Sequence, residues 1–238
     1  MNSNPSSRRH PKSDLTKARI LDAARRLFNE EGTALVTTNR IAAQAGLSPG
    51  NLYYHFSDKP DIIRALHKEY AAAHADRWEP AADPAVNVAT LAGNLAAGFE
   101  LAWRYRFFER EIRALLRADP ELSSDYRRNY QRRLEEWVGF GERLVAQGLL
   151  RAPRPPRTLR DLAIALWLIA ENWMAFLELT GDPSDPAQFA KGADVILAVL
   201  DPVLTAKGRR QLNRMAATEP EDARLEVTAK VTTSQDHD

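Results

Sequence analysis

The 238-residue chain has no cysteine, which excludes disulfides, thiolate metal sites and cysteine nucleophiles. Its five histidines, His10, His55, His67, His74 and His237, show no two-histidine helical spacing for a metal. There is no Gly-x-Ser-x-Gly elbow, no phosphate loop and no dinucleotide fingerprint. The chain is therefore read as neither an enzyme nor the holder of a metal or cofactor. Asn-Gly and Asp-Gly hairpin signals are missing and alternating strand patterns are few, so a sheet is not expected. No apolar run is read as long enough for a membrane span. The nearest, residues 163–179, is interrupted by Glu171 and Asn172. The first dozen residues are polar and lack the apolar stretch of a signal peptide. A cytoplasmic protein without a membrane role is expected.

What is present is helical periodicity. The fold class read from it is all-α, with a small N-terminal three-helix domain ahead of a larger C-terminal helical domain. A first helix from about Ser13 to Glu31 carries Ile20, Leu21, Ala24, Leu27 and Phe28 on one stripe and stops at Gly32. A short helix from Thr38 to Ala45 ends at Gly46. Another begins at Ser48, with Pro49 suited to its first turn, and ends near Phe56. Ser57, Asp58, Pro60 and Asp61 mark the start of a longer helix with Ile62, Ile63, Leu66 and Tyr70 inward, and others follow over about 86–106, 108–117, 120–147, 158–179 and 186–204. The domains expected are a disordered basic tail at 1–12, a helix-turn-helix unit at 13–60, a larger helical domain at 61–206, and a mostly disordered tail at 207–238. Charge is uneven along this plan. Residues 1–59 hold 9 Lys/Arg against 5 Asp/Glu, and residues 60–206 hold 18 against 21. A basic N-terminal part suits contact with nucleic acid.

The informative stretch is TTNRIAAQAGLSPGNLYYHFSDK, residues 37–59. Two short helices joined at Gly46 make a helix-turn-helix pattern. On the second helix Leu52 and Phe56 share an anchoring side. The opposite side carries Gly50 and Tyr54, flanked by Asn51 and His55. Hydroxyl and imidazole groups, and the amides of a helix start, hydrogen-bond phosphate oxygens, while Asn51 suits a base edge. On residue types alone, a plain helical hairpin with exposed tyrosines is the competing reading.

Over about residues 14–66 the chain resembles transcription regulators of the tetracycline-repressor (TetR) type. GNLYYHFSDK is similar to their recognition helix and following turn, and TTNRIAAQAGLS to the helix before it. The resemblance implies phosphate contacts from Thr38, Ser48, Tyr53, Tyr54, His55 and Lys59. It implies groove contacts around Pro49, Gly50 and Asn51, with Arg40 as a base reader. Pro49 stands where many members carry a side-chain donor, which leaves a share of the specificity to DNA shape. The basic stretch from Arg8 to Lys12 is read either as a phosphate-neutralising arm or as a solvated end.

Beyond residue 60 the last two long helices are apolar on more than one face, and such helices need several partners. The resemblance implies a homodimer through helices at about 158–179 and 186–204, on a palindromic double-stranded operator. It also implies a small-molecule effector of unknown identity. The candidates read for its site are Phe99, Trp103, Phe107, Trp137, Asn172 and Trp173, since aromatic walls with a few polar groups suit a small ligand. The arginine-rich stretch 104–133 reads as a solvated helix face, with an anion site as the alternative. A ligand-responsive repressor is expected. An activator of the same fold, or a helical ligand-binding protein or enzyme without a DNA role, stands beside it.

Overall fold

The computed structural model describes residues 11–75 and 77–218. Ten α-helices run through them: α1 Pro11–Glu31, α2 Thr38–Gln44, α3 Pro49–His55, α4 Lys59–Ala73, α5 Pro84–Arg104, α6 Arg106–Ala118, α7 Pro120–Ala146, α8 Leu159–Thr180, α9 Pro186–Leu200 and α10 Ala206–Thr218. Among the described residues no strand forms beyond an isolated bridge between Leu150 and Leu204. Helix starts are fixed by short polar side chains that take up free N–H groups. Asp83 and Asp185 cap α5 and α9, each ahead of a proline in the first turn. Thr158 and Asp161 form a reciprocal capping box at the start of α8.

The chain divides into two compact units. The first takes in residues up to Ala72 and returns for Glu111–Ser123. Its core is built from Ile20, Ala24, Phe28, Ile41, Leu52, Ile62 and Leu66, all without solvent exposure. The returning segment is tied in by polar contacts. The Glu111 carboxylate accepts hydrogen bonds from the Thr33 N–H, at 3.0 and 3.2 Å, and from the Thr33 hydroxyl. Arg64 reaches Asp119 at 2.7 Å and Glu121 at 3.4 Å. The boundary expected at residue 60 is thus displaced. Ile62, Ile63 and Leu66 of α4 are buried, and α4 completes the core of the first unit.

The second unit holds the remaining helices around one apolar core that includes Phe99, Phe140, Met174, Phe189, Ile196 and Leu200. Helix α9 packs against α5 and α8. Two expectations are corrected in this unit. The tail expected to be mostly disordered from residue 207 starts with α10, which packs against α5. Gly208 makes this possible, because a Cβ there would lie 2.2 Å from the Leu149 carbonyl oxygen. Leu212 supplies the apolar contact to the core. Residues 219–238, and the tail at 1–10, lie outside the described residues. Pro11 and Lys12, expected in that tail, already belong to α1. The second correction concerns α8, which is long and apolar enough to cross a membrane by length and composition. Glu171 and Asn172 do not offset its leucines, alanines and aromatics. Much of that apolar surface is open, with Leu168 at 57%, Phe176 at 51% and Leu179 at 87% exposure.

Candidate nucleic-acid interface and apolar cavity

Helices α2 and α3 pack against one another through the turn at Gly46. Gly46 has φ +65°, a left-handed conformation that glycine adopts without a Cβ clash. Its N–H bonds the Ala43 carbonyl at 3.0 Å, and the Leu47 N–H bonds the Ala42 carbonyl at 2.9 Å. These two bonds end α2 in a Schellman turn. Arg19 of α1 adds a hydrogen bond to the Ala45 carbonyl at 2.6 Å. The direction in which α3 leaves the turn is thereby held by three separate bonds.

Helix α3 is anchored from one side and open on the other. Leu52 is fully buried and Phe56 nearly so. Ser48 caps the helix by accepting from the Asn51 N–H at 3.3 Å. Pro49, Gly50 and Asn51 are exposed, and no atom lies within 4 Å of where a Gly50 Cβ would stand. Tyr54 is 83% exposed and meets the His55 ring edge-on at 5.1 Å. Tyr53 is half exposed, and its hydroxyl pairs with the Thr38 hydroxyl at 2.8 Å, linking α3 to the start of α2. Seven of the ten residues read for DNA contact thus gather along α3 and its cap, and Thr38 joins them through Tyr53.

The other two cations read for this surface have partners within the unit. Arg40 forms a forked ion pair with Glu31, with Nη2 2.6 Å from Oε1. Reading a base would require Arg40 to leave Glu31. Lys59 donates to the carbonyls of Thr33, at 2.6 Å, and Val36, at 3.0 Å. An ammonium has three donors, so one of them is left for a phosphate. Sequence reasoning missed Glu31, Glu111 and Arg64 as supports of this face. Glu31 and Arg40 are close in sequence, but Glu111 lies 78 residues from Thr33 and carries no local signal.

In the second unit an apolar cavity of about 60 Å³ is walled by Trp78, Leu91, Trp137, Phe140, Leu166 and Leu200, among others. Of the six residues read for an effector, Trp137 lines it. Phe99, Trp103 and Trp173 instead surround Phe189 of α9. The first two rings lie 5.6 and 5.5 Å from it, and the Trp173 indole donates to its carbonyl at 2.9 Å. Phe107 is fully buried, with its ring centre 4.1 Å from that of Phe108. Asn172 is exposed and turns back to the Leu168 carbonyl at 2.8 Å. Aromatic residues at helical spacing have mostly become core here. Trp78 and Leu166, which the sequence reading did not single out as ligand contacts, are cavity walls. The arginine-rich stretch is largely paired along α7, with Arg132 bonded to Glu136 at 2.9 Å and Arg133 4.4 Å over the Trp167 ring.

Comparison with known proteins agrees with both units. Residues 20–66 match the family described as bacterial regulatory proteins, tetR family. Residues 69–212 match the family described as TetR, bacterial transcriptional repressor. The helix-turn-helix-type transcriptional regulator TtgR of Pseudomonas putida is 41% identical over 51 residues, which is 21% of this chain and 24% of that protein. A helix-turn-helix-type regulator of Staphylococcus aureus is 46% identical over 46 residues, 19% of this chain and 25% of that protein. The chain thus spans about a quarter of the length of the curated relatives it matches. A crystal structure of a TetR-family transcriptional regulator from Marinobacter aquaeolei is similar over 84% of this chain and 96% of that one. Its identity is 32% and its TM-score 0.74.

Proposed function

We propose, from the premise that the chain belongs to the tetR family of bacterial transcriptional regulators, that it represses transcription as a dimer on a palindromic operator and lets go when an effector binds its second unit. The observation that carries the DNA-binding part is the open side of α3. Its core side is fixed by Leu52 and Phe56, so Gly50, Asn51 and Tyr54 stand out from a rigid base. Tyr53, Tyr54, His55, Ser48 and Thr38 supply phosphate contacts, and Asn51 with Gly50 approaches the base edges. Lys59 gives its remaining donor to a phosphate.

One recognition helix reads only a few base pairs, so affinity and specificity require two of them on one duplex. The exposed Leu168, Phe176 and Leu179 of α8, with Val195 and Val199 of α9, offer the apolar surface for a second copy. An apolar helix face of this size in a soluble regulator calls for a protein partner. Cytoplasmic residence follows from the DNA target. Effector release works only if the ligand binds the DNA-competent and DNA-incompetent states with different affinity.

The test is a titration of the full chain against a fluorescent duplex from its own upstream region at two salt concentrations. Tight, salt-sensitive binding that survives nonspecific competitor is the expected result. No binding to any duplex at low salt overturns the proposal. Sedimentation of a monomer at micromolar concentration overturns the dimer.

A further inference from the structure

We propose that the apolar cavity of the second unit takes a neutral, largely apolar molecule that carries one hydrogen-bond acceptor, received by the Trp137 indole N–H. The inference rests on reading that unit as the effector domain, and it names the chemical class of the effector.

Three observations carry it. The cavity walls are leucines, alanine, glycine and aromatic rings, with no charged side chain among them. An ion entering such a space would lose its hydration without a counter-charge. Yet two of the lining rings, Trp78 and Trp137, are indoles, and the Nε1 of Trp137 is buried with no acceptor among the described residues. A buried donor without an acceptor is costly, and a ligand oxygen or nitrogen at that point removes the cost. The third observation is the entrance. Trp78 and Phe140 border the cavity and also an outer cleft of about 320 Å³, lined further by Glu79, Pro80, Glu136 and Gly139. The Trp78 ring rests edge-on against Trp137 at 5.6 Å and Phe140 at 5.3 Å. Trp78 belongs to the non-helical stretch between α4 and α5, so its ring is the part of the wall least fixed by helix packing. Two carboxylates in the cleft, Glu79 and Glu136, disfavour an approaching anion.

The cavity is small. A benzene ring occupies an enclosed space of roughly 150 Å³ on the same kind of measure. At about 60 Å³ this cavity must widen to accept a ring. Binding therefore displaces a wall, and the occupant is held by a site that differs in shape between its empty and filled states. Release of DNA then requires the widened form to be the one that binds DNA more weakly.

Acetophenone and ethylbenzene make a matched pair of probes, alike in shape and different in one carbonyl. Phenylacetate is the anionic control. Binding is read on the full chain without DNA, by calorimetry and by the indole N–H resonances of the ¹⁵N-labelled protein. Acetophenone is expected to bind and to shift the Trp137 indole proton downfield, ethylbenzene to bind without that shift, and phenylacetate not to bind. Trp137→Phe keeps the aromatic wall and removes the donor. It is expected to weaken acetophenone about fivefold and leave ethylbenzene unchanged. Gly141→Leu fills the space from another wall. A Cβ there meets the Leu159 methyls at 3.6 and 3.8 Å, ordinary contact, so the backbone accepts a side chain. This variant is expected to weaken both neutral probes at least tenfold.

The proposal is overturned if neither neutral probe binds, if phenylacetate binds more tightly than acetophenone, or if Trp137→Phe weakens both neutral probes equally. An unmoved indole resonance overturns it even where the variant is unstable. Release of the operator duplex is measured separately. If acetophenone binds as described and DNA stays bound, the site stands and the effector reading falls.

Discussion

Helices α3 and α8 use one device with opposite chemistry. Each is fixed from one side by buried residues, Leu52 in α3, and Met174 and Leu177 in α8. Each turns an unused side outward. On α3 that side is Asn51 and Tyr54; on α8 it is Leu168, Phe176 and Leu179. A rigid polar face suits phosphates and base edges, whereas a rigid apolar face suits another apolar face. The lesson is that an exposed side held by its own core is more informative than exposure alone, because no rearrangement inside the unit would cover it.

The comparison breaks most sharply at Phe176. In a twofold dimer each interface residue counts twice. Phe176 is 51% exposed in the single chain, so association buries about half a side chain on each side, and Phe176→Asp removes about 1.5–3 kcal/mol of apolar burial. The dimer constant is expected to weaken at least about tenfold, with the helical circular dichroism intact. Sedimentation velocity across the micromolar range checks it, and an unchanged dimer would mean that α8 faces something else.

The two units also differ in how acid reaches them. In the second unit burial, reinforced by Arg133 and Arg77, pushes His74 down to about 2. The folded form keeps the ring neutral, while the unfolded chain protonates it near pH 6.5. Stability from this group is present above that value and is lost as pH falls below it. Between pH 7 and pH 5 the second unit should lose about 2 kcal/mol. In the first unit burial alone would raise the Asp119 pKa. The Leu122 N–H and the Arg64 guanidinium outweigh burial and hold that carboxyl below the ordinary carboxylate value. That contribution is lost only in stronger acid, below about pH 4. Urea unfolding followed from pH 7 to pH 4 should show the second unit weakening first, and His74→Gln should flatten that limb. A flat limb in the unaltered chain would refute the His74 assignment.

A smaller effect is expected at Glu111. Glu111→Ala leaves the Thr33 N–H inside the first unit without its acceptor, since Thr33 is only 7% exposed. The cost is about 1–2 kcal/mol. Glu111→Gln keeps an acceptor oxygen and should recover at least half of it. Chemical denaturation of the two variants side by side checks the order.

The two units were not equally legible in the sequence. Helices α2 and α3 are fixed by bonds spanning only a few residues: the Ser48 cap, the Gly46 turn and the Leu52 anchor. Each leaves a local signature. The cavity has no such signature, because Trp78, Leu91, Trp137, Leu166 and Leu200 meet only through tertiary packing. Composition drew attention to Phe99, Trp103 and Trp173, which gather around Phe189 as core. Helix α10 was hidden for a related reason. Its sequence is polar, and the feature that seats it is Gly208 against the Leu149 carbonyl.

Tyr54 marks the other end of the scale. The side chain is 83% exposed, and its ring contact is with the neighbouring His55. Tyr54→Ala should change folding stability by no more than about 0.5 kcal/mol. Its effect belongs to the duplex instead, where one hydrogen bond from the phenol to an ionised phosphate is worth about tenfold in affinity. Because the phenol is uncharged it releases no counterion, so the salt slope should stay the same. Because a phosphate carries no base identity, every duplex should weaken by the same factor. Binding of the operator and of a scrambled duplex, each at two salt concentrations, separates the cases. A steeper loss on the operator alone would move Tyr54 from the phosphates to the base edges, and the reading face of α3 would then extend a full turn beyond Asn51.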